Sequence, residues 1–235
     1  NNVDADGLNV IDPATGDASS STNNVEVAAD WAPVDPRDDE IRLTETDQNT
    51  IADKSIAIQK GGVLFDDQNV AGFSPGDTIE YTLDVQVSDF FTFGDLVITD
   101  RLGDGLQLDA GFTPVFTVNE EGVQTVAAAA IAVATATDPG TGDQILTFDL
   151  SDALLGETGD GVLTGDLAND ADQVGPTTVQ VVYRAVILSD FATPTGDAPV
   201  SQGDILSNNV TLDSNVLNNT DNNIIEDAQS DTSAF

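Results

Sequence analysis

The sequence has no cysteine, no histidine and no methionine. Without Cys there is no disulfide framework and no thiol chemistry. Without His the commonest general base and the commonest zinc ligand are gone, and no Ser-His-Asp set can be assembled. The missing Met fits a chain from which a signal peptide has been removed, although none is visible. Basic residues are scarce, 6 Lys and Arg against 42 Asp and Glu, for a formal net charge of −36. Such a chain is repelled by nucleic acid and by anionic membranes, which excludes both as partners. The longest apolar run, residues 126–136, is Ala-rich and too short to span a bilayer, so no direct membrane insertion is expected. Aromatics are few: Trp31 is the only Trp, and Tyr81 and Tyr183 are the only tyrosines.

What is present is Gly, Asn, Asp, Thr, Val and Ala, the composition of short strands joined by polar turns. At 235 residues and 40% hydrophobic content the chain can bury one large, lean core. The acids are mostly Asp, many beside Asn or Gly, and short oxygen-bearing side chains in turns are what calcium needs around it. General acidity for solubility or for a saline habitat explains the same excess.

The pattern divides the chain into three. Residues 1–53 read as a polar arm holding one short strand near residues 25–33. Residues 54–212 read as a β-sandwich, and residues 213–235 as a second polar arm. In residues 54–60 the alternation puts Lys54, Ile56, Ile58 and Lys60 on one face. Residues 77–87 form the clearest strand, with Ile79, Tyr81, Leu83, Val85 and Val87 pointing one way. In residues 95–102, Leu96, Ile98, Asp100 and Leu102 share a face. Further strands are expected at 114–118, 126–136, 145–150, 178–188 and 205–212, with a polar insertion over 156–176 and no helix. Strands at this spacing predict two packed antiparallel sheets.

The strings SPGDTIEYTLDVQV (74–87), DLVITDRLGDGL (95–106), VQVVYRAVIL (179–188) and ILSNNVTL (205–212), in that order, resemble the immunoglobulin-like repeat domain of bacterial and archaeal surface proteins. The resemblance covers residues 54–212, with large differences between 112 and 175. It implies an all-β, immunoglobulin-like Greek-key sandwich with polar arms, found in stalks, adhesins, surface layers or filaments. It implies no activity.

A related group, the fimbrial sandwiches that form internal isopeptide bonds, carries a Lys on the first strand, an acid on a middle strand and an Asn on the last. By this resemblance the matching positions are Lys60, Asp100 and Asn208, which alternation places with Ile58, Ile98 and Val210. The chemistry implied is attack of a neutral Lys amine on the Asn amide carbon, with a protonated Asp polarising the carbonyl and ammonia leaving. The competing reading ends the first strand at Lys60, sends its amine to solvent, and ties Asp100 and Asn208 to turn backbone.

Calcium is the expected cofactor, with three candidate regions. Asn2, Asp4, Asp6 and Gly7 match the opening of a calcium loop, but Pro13 stands where a bidentate Glu is required, so Asp12 or Asp17 would have to complete the site. Asp35, Asp38, Asp39 and Glu40 form a second cluster, and Glu157, Asp160, Asp166, Asn169, Asp170 and Asp172 a third; water-facing turns have the same composition. The expected function is a non-enzymatic building block of an extracellular cell-surface assembly, joined to copies of itself or to neighbouring domains. Residues 25–31 would either add a strand to a neighbour's sheet or pair within their own chain. The alternative is an adhesin module that binds a ligand or glycan through its loops.

Overall fold

The computed structural model describes residues 20–31, 41–52, 55–68, 72–88, 91–120, 123–165, 176–192, 198–201, 203–217 and 224–234. Contacts divide the chain into two compact units, one holding Asp17–Lys54 and the other Ser55–Phe235.

The first unit contains a two-stranded antiparallel ribbon, β1 (Ser20–Trp31) and β2 (Ile41–Ala52). It is in register from Ser20 opposite Ala52 to Trp31 opposite Ile41. The expected strand at 25–33 is thus part of a longer one, and its partner lies in the same chain. Val25, Val27 and Leu43 are all more than half exposed. A ribbon that buries so little leaves no contrast between inner and outer faces, which is why β2 was not legible as a strand.

The second unit is built from two sheets. The first contains β3 (Ile56–Asp66), β4 (Thr78–Val87), β6 (Leu106–Leu108), β7 (Val115–Glu120), β8 (Val123–Ala130) and β12 (Pro176–Ile187). The second contains β5 (Thr92–Leu102), β9 (Ala134–Thr137), β10 (Gln144–Asp149), β11 (Leu163–Thr164), β15 (Asn208–Leu217) and β16 (Ile224–Ala234). The helix α1 (Leu150–Thr158) and the small ribbon of β13 (Asp190–Phe191) and β14 (Ala198–Pro199) complete the unit. The strand orders are β3-β4-β12-β7-β8 and β16-β15-β5-β10-β9, with β6 beside β12 and β11 beside β5. Every pairing is antiparallel, and successive strands cross repeatedly from sheet to sheet. The fold is an immunoglobulin-like Greek-key β-sandwich.

Alternation decides the core. On β4 the side chains of Ile79, Tyr81, Leu83, Val85 and Val87 are buried, and on β12 those of Val179, Val181, Tyr183, Ala185 and Ile187. Facing them from the second sheet are Leu96, Ile98 and Leu102 of β5, Leu146 and Phe148 of β10, and Val210, Leu212 and Val216 of β15. Each fully buried Leu, Ile or Val contributes about 1.5–3 kcal/mol relative to exposure. On β5 the alternation breaks once. Asp95 adopts φ 51°, and the register with β15 shifts between Asp213 and Asn215. The left-handed residue lets both Phe93 and Leu96 point inward, and Asp is among the few non-Gly types that tolerate it.

Three expectations are corrected. The single strand expected over 126–136 is two, β8 and β9, which lie in different sheets and are separated by the buried Ile131. Where no helix is expected, α1 runs from the last residue of the strand expected over 145–150 into the first three residues of the polar insertion, its first turn capped by the Asp149 carboxylate accepting from the Asp152 N–H at 2.9 Å. Leu150 and Leu154, one turn apart, reach the core, and Gly159 ends the helix at φ 95°. Only two turns carry this pattern, too few to register as a helical period. Finally, residues 213–217 continue β15 and residues 224–234 form β16, so the segment read as a C-terminal arm supplies an edge strand. Its Asp/Asn-rich sequence hides it, because an edge strand has no need of a continuous apolar face.

Candidate functional site

Lys60 lies in the middle of β3, opposite Leu83, because the strand continues through Gly61 and Gly62 to Asp66. Its direction is set by Ile56 and Ile58, which are buried on the same face. The reading in which Lys60 ends its strand and reaches solvent is therefore wrong: the Gly-Gly pair looks like a turn but is extended here. Asp100 sits at the centre of the second sheet, with Leu146 of β10 on one side and Val210 of β15 on the other. Asn208 opens β15 opposite Leu102. The two sheets thus bring together three polar side chains that alternation had placed inward.

The contacts are close. The Lys60 amine donates to Asp100 Oδ1 at 2.5 Å and to Oδ2 at 2.6 Å, and also to the amide oxygen of Asn208. Tyr183 donates its hydroxyl to Asp100 Oδ2 at 2.6 Å and accepts from Asn208 Nδ2 at 3.1 Å. The Lys60 and Asp100 side chains have 0% exposure, and Asn208 as a whole has 1%. Around them the walls are aromatic. Tyr81 and Tyr183 stack with centroids 5.2 Å apart, Phe148 lies 5.8 Å from Tyr183, and the Lys60 amine is 5.0 Å from the Tyr81 ring.

Burial works against charge on both members of the ion pair. Desolvation pulls the Lys60 amine down from 10.5 to about 8, although the Asp100 charge and its hydrogen bond push the other way. Desolvation pushes Asp100 up, with Lys60 and Tyr183 opposing it. The pair is therefore driven toward its neutral form, an amine and a carboxylic acid. A neutral amine held against an amide carbonyl, with an acid at hand, is the arrangement that amide exchange requires. A buried ion pair placed there only for stability would be poorly repaid, since desolvation can exceed the Coulombic gain.

The tyrosines are the part of the site that the sequence left unassigned. Their signal was present: both alternate inward on their strands, and a buried phenol needs a hydrogen-bond partner.

Of the candidate calcium ligands, Asn2, Asp4, Asp6, Asp12, Asp35, Asp38, Asp39, Asp166, Asp170 and Asp172 lie outside the described residues. Asp160 is described: it is exposed and accepts from the Thr158 hydroxyl at 2.9 Å, closing the turn after α1. Among the described residues no three acidic side chains are grouped to hold a metal ion. The Asp138 and Asp143 carboxylates are instead paired with Arg101, at 2.5 and 2.6 Å.

No family model matches the chain, and no curated protein matches it in sequence. Solved structures do resemble it. The collagen-binding domain of the surface protein RspB from Erysipelothrix rhusiopathiae matches at 11% identity and TM-score 0.37, over 90% of this chain and 56% of that one. The major pilin SpaA of Corynebacterium diphtheriae, described as a modular pilus assembly with stabilizing isopeptide bonds, matches at 18% identity and TM-score 0.36, over 65% of this chain and 30% of that one. AvmM, which catalyses macrocyclization in alchivemycin A biosynthesis, matches at 11% and 0.35, over 77% of this chain and 88% of that one. At TM-scores below 0.5 these likenesses assign no activity to the chain.

Proposed function

We propose that this chain is a structural module of an extracellular surface assembly, and that an isopeptide bond between Lys60 and Asn208 locks its two sheets together. The observation that carries this reading is the buried triad of Lys60, Asp100 and Asn208, with the amine bonded at once to the carboxylate and to the amide oxygen.

The bond is made by the chain on itself. The proton shared by the ion pair passes from Lys60 to Asp100, leaving a neutral amine. Nζ attacks Cγ of Asn208 while Asp100 protonates the carbonyl oxygen. Asp100 then takes the extra proton from Nζ. As the bond from Cγ to Nδ2 breaks, Asp100 gives that proton up to the departing nitrogen, ammonia leaves, and the hydroxyl proton on Oδ1 returns to Asp100 as the carbonyl reforms. One amide replaces another, so no oxidant or cofactor is needed. The reaction runs once per molecule, which makes the module structural and not catalytic. A covalent tie of this kind suits a Cys-free chain that must resist unfolding outside a cell.

The test is an intact mass. The folded chain is expected about 17 Da below its sequence mass, the weight of one ammonia, and Lys60→Ala and Asp100→Ala are expected at full mass. A wild-type chain at its full sequence mass would overturn the proposal.

Neighbours in the assembly would be copies of this chain or adjoining domains of the same surface protein, with calcium bound by the acidic clusters within residues 2–17, 35–40 and 157–172. An adhesin that stacks sugars on aromatic platforms is the weaker reading, since Tyr81 and Tyr183 are 1% and 0% exposed and are engaged in the buried site.

A further inference from the structure

The reaction just described leaves one proton without a route. The nitrogen of Asn208 must be protonated as it departs, since an amide anion is a far poorer leaving group than ammonia. Bulk solvent does not reach the groups involved, since Asp100, Tyr183 and Asn208 are 0%, 0% and 1% exposed. Both carboxylate oxygens of Asp100 are engaged by the lysine, at 2.5 and 2.6 Å. The Asn208 amide is oriented with its oxygen toward Lys60 and its nitrogen toward the Tyr183 hydroxyl. Tyr183 bonds both the Asp100 carboxylate and the Asn208 nitrogen, whereas Tyr81 bonds the Asn208 side chain.

We infer that Tyr183 is the proton relay of the ring closure, passing a proton from Asp100 Oδ2 to the Asn208 nitrogen that leaves as ammonia. The inference rests on the isopeptide reading above. Before reaction the hydrogen bonds run from the amide nitrogen to the phenol and from the phenol to the carboxylate, because an amide N–H₂ can only donate. Attack at Cγ makes that nitrogen pyramidal and gives it a lone pair. At the same stage Asp100, having taken the proton from Nζ, becomes a donor. Both bonds then reverse. Asp100 donates to the phenol oxygen while the phenol proton moves to Nδ2, so Tyr183 ends as it began and Asp100 is left as carboxylate. The carboxylate recovers a proton from Oδ1 as the carbonyl reforms, and every atom and charge balances. Burial and the nearby Asp100 charge hold the Tyr183 phenol well above its ordinary pKa, so it keeps the proton that it must hand on.

The relay is tested by following intact mass with time after a short pulse of cell-free synthesis. Tyr183→Phe keeps the ring that packs on Tyr81 and Phe148 and removes only the hydroxyl. Conversion to the lighter species is expected to slow by about 100-fold, the scale of a lost general acid. Conversion within about twofold of wild type overturns the relay and leaves the isopeptide reading intact. The reverse failure is separate: a wild-type chain that never loses ammonia removes the isopeptide itself. Should Tyr183→Phe fail to fold, difluorotyrosine in place of Tyr183 alone keeps the shape and makes the phenol more acidic. A changed conversion rate with an unchanged circular dichroism spectrum supports the relay, and an unchanged rate overturns it.

Discussion

Lys60 and Asn208 stand 148 positions apart, on the edge strand of one sheet and an inner strand of the other, and the amine of the first bonds the amide oxygen of the second. Almost the whole sandwich lies between them in sequence. A bond at this place closes a long loop, and so constrains the unfolded chain strongly.

The size of that constraint can be measured. Lys60→Met keeps an unbranched side chain and removes the nucleophile, while Asp100, already pushed toward its neutral form, keeps the Tyr183 hydrogen bond. The variant is expected at its full sequence mass and less stable to urea by about 5 kcal/mol, the chain-entropy value for a loop of this length. Equal urea midpoints for variant and wild type would show that the cross-link does not constrain the unfolded chain.

Bond formation has a defined pH dependence. The reactive form carries one proton on the pair, placed on Asp100 with Lys60 neutral. Above about 8, where the Lys60 amine gives up its proton in the folded protein, the pair loses its last proton and Asp100 has none to donate. The rate is expected to fall there by about tenfold per pH unit. At acid pH, Asp100 is protonated while Lys60 remains an ammonium ion without a lone pair, so the rate falls again. Pulse synthesis followed by pH jump and intact mass gives the profile; a rate still climbing above pH 9 would contradict the assignment of Asp100 as the acid.

Gly103 positions Asn208. Its N–H donates to the Ser207 carbonyl at 2.8 Å, and a Cβ added at Gly103 would fall 2.6 Å from that same oxygen. Gly103→Ala must push back the start of β15, so slower ammonia loss is expected together with about 1–3 kcal/mol of destabilisation. Wild-type kinetics in this variant would show that the start of β15 moves freely.

The helix is a test of the core alone. Leu154 on α1 is fully buried, and Leu154→Ala is expected to cost about 2–5 kcal/mol in urea unfolding. The folded variant should still show the mass of the cross-linked chain, because α1 supplies none of the reacting groups.

Assembly is checked by sedimentation velocity in millimolar calcium and in EDTA. Large species with calcium that fall to monomer in EDTA are expected if the acidic segments join neighbours. A monomer in both buffers rules out calcium-driven self-assembly of the isolated chain.

By itself the sequence determined the sandwich and the face that the residues of each clear strand share. Period-two alternation on residues 77–87, 95–102 and 178–188 settles which side chains face the core, since a one-residue slip would expose every apolar group. The same parity placed Lys60, Asp100 and Asn208 inward, each flanked by apolar neighbours. Where burial is slight the pattern is silent, as in β2, and where an element is two turns long, as in α1, the period is too short to read. The tertiary structure alone decided which inward residues meet. Alternation specifies a face but not a partner strand, so it could not show that Lys60 and Asn208 come from opposite sheets. Nor could it show that Asp100 bonds the same amine, or that Tyr183 bridges the acid and the amide. Those relations come from sheet order and register, set by contacts across the whole chain, and the exclusion of water that tunes Lys60 and Asp100 exists only once both sheets have closed.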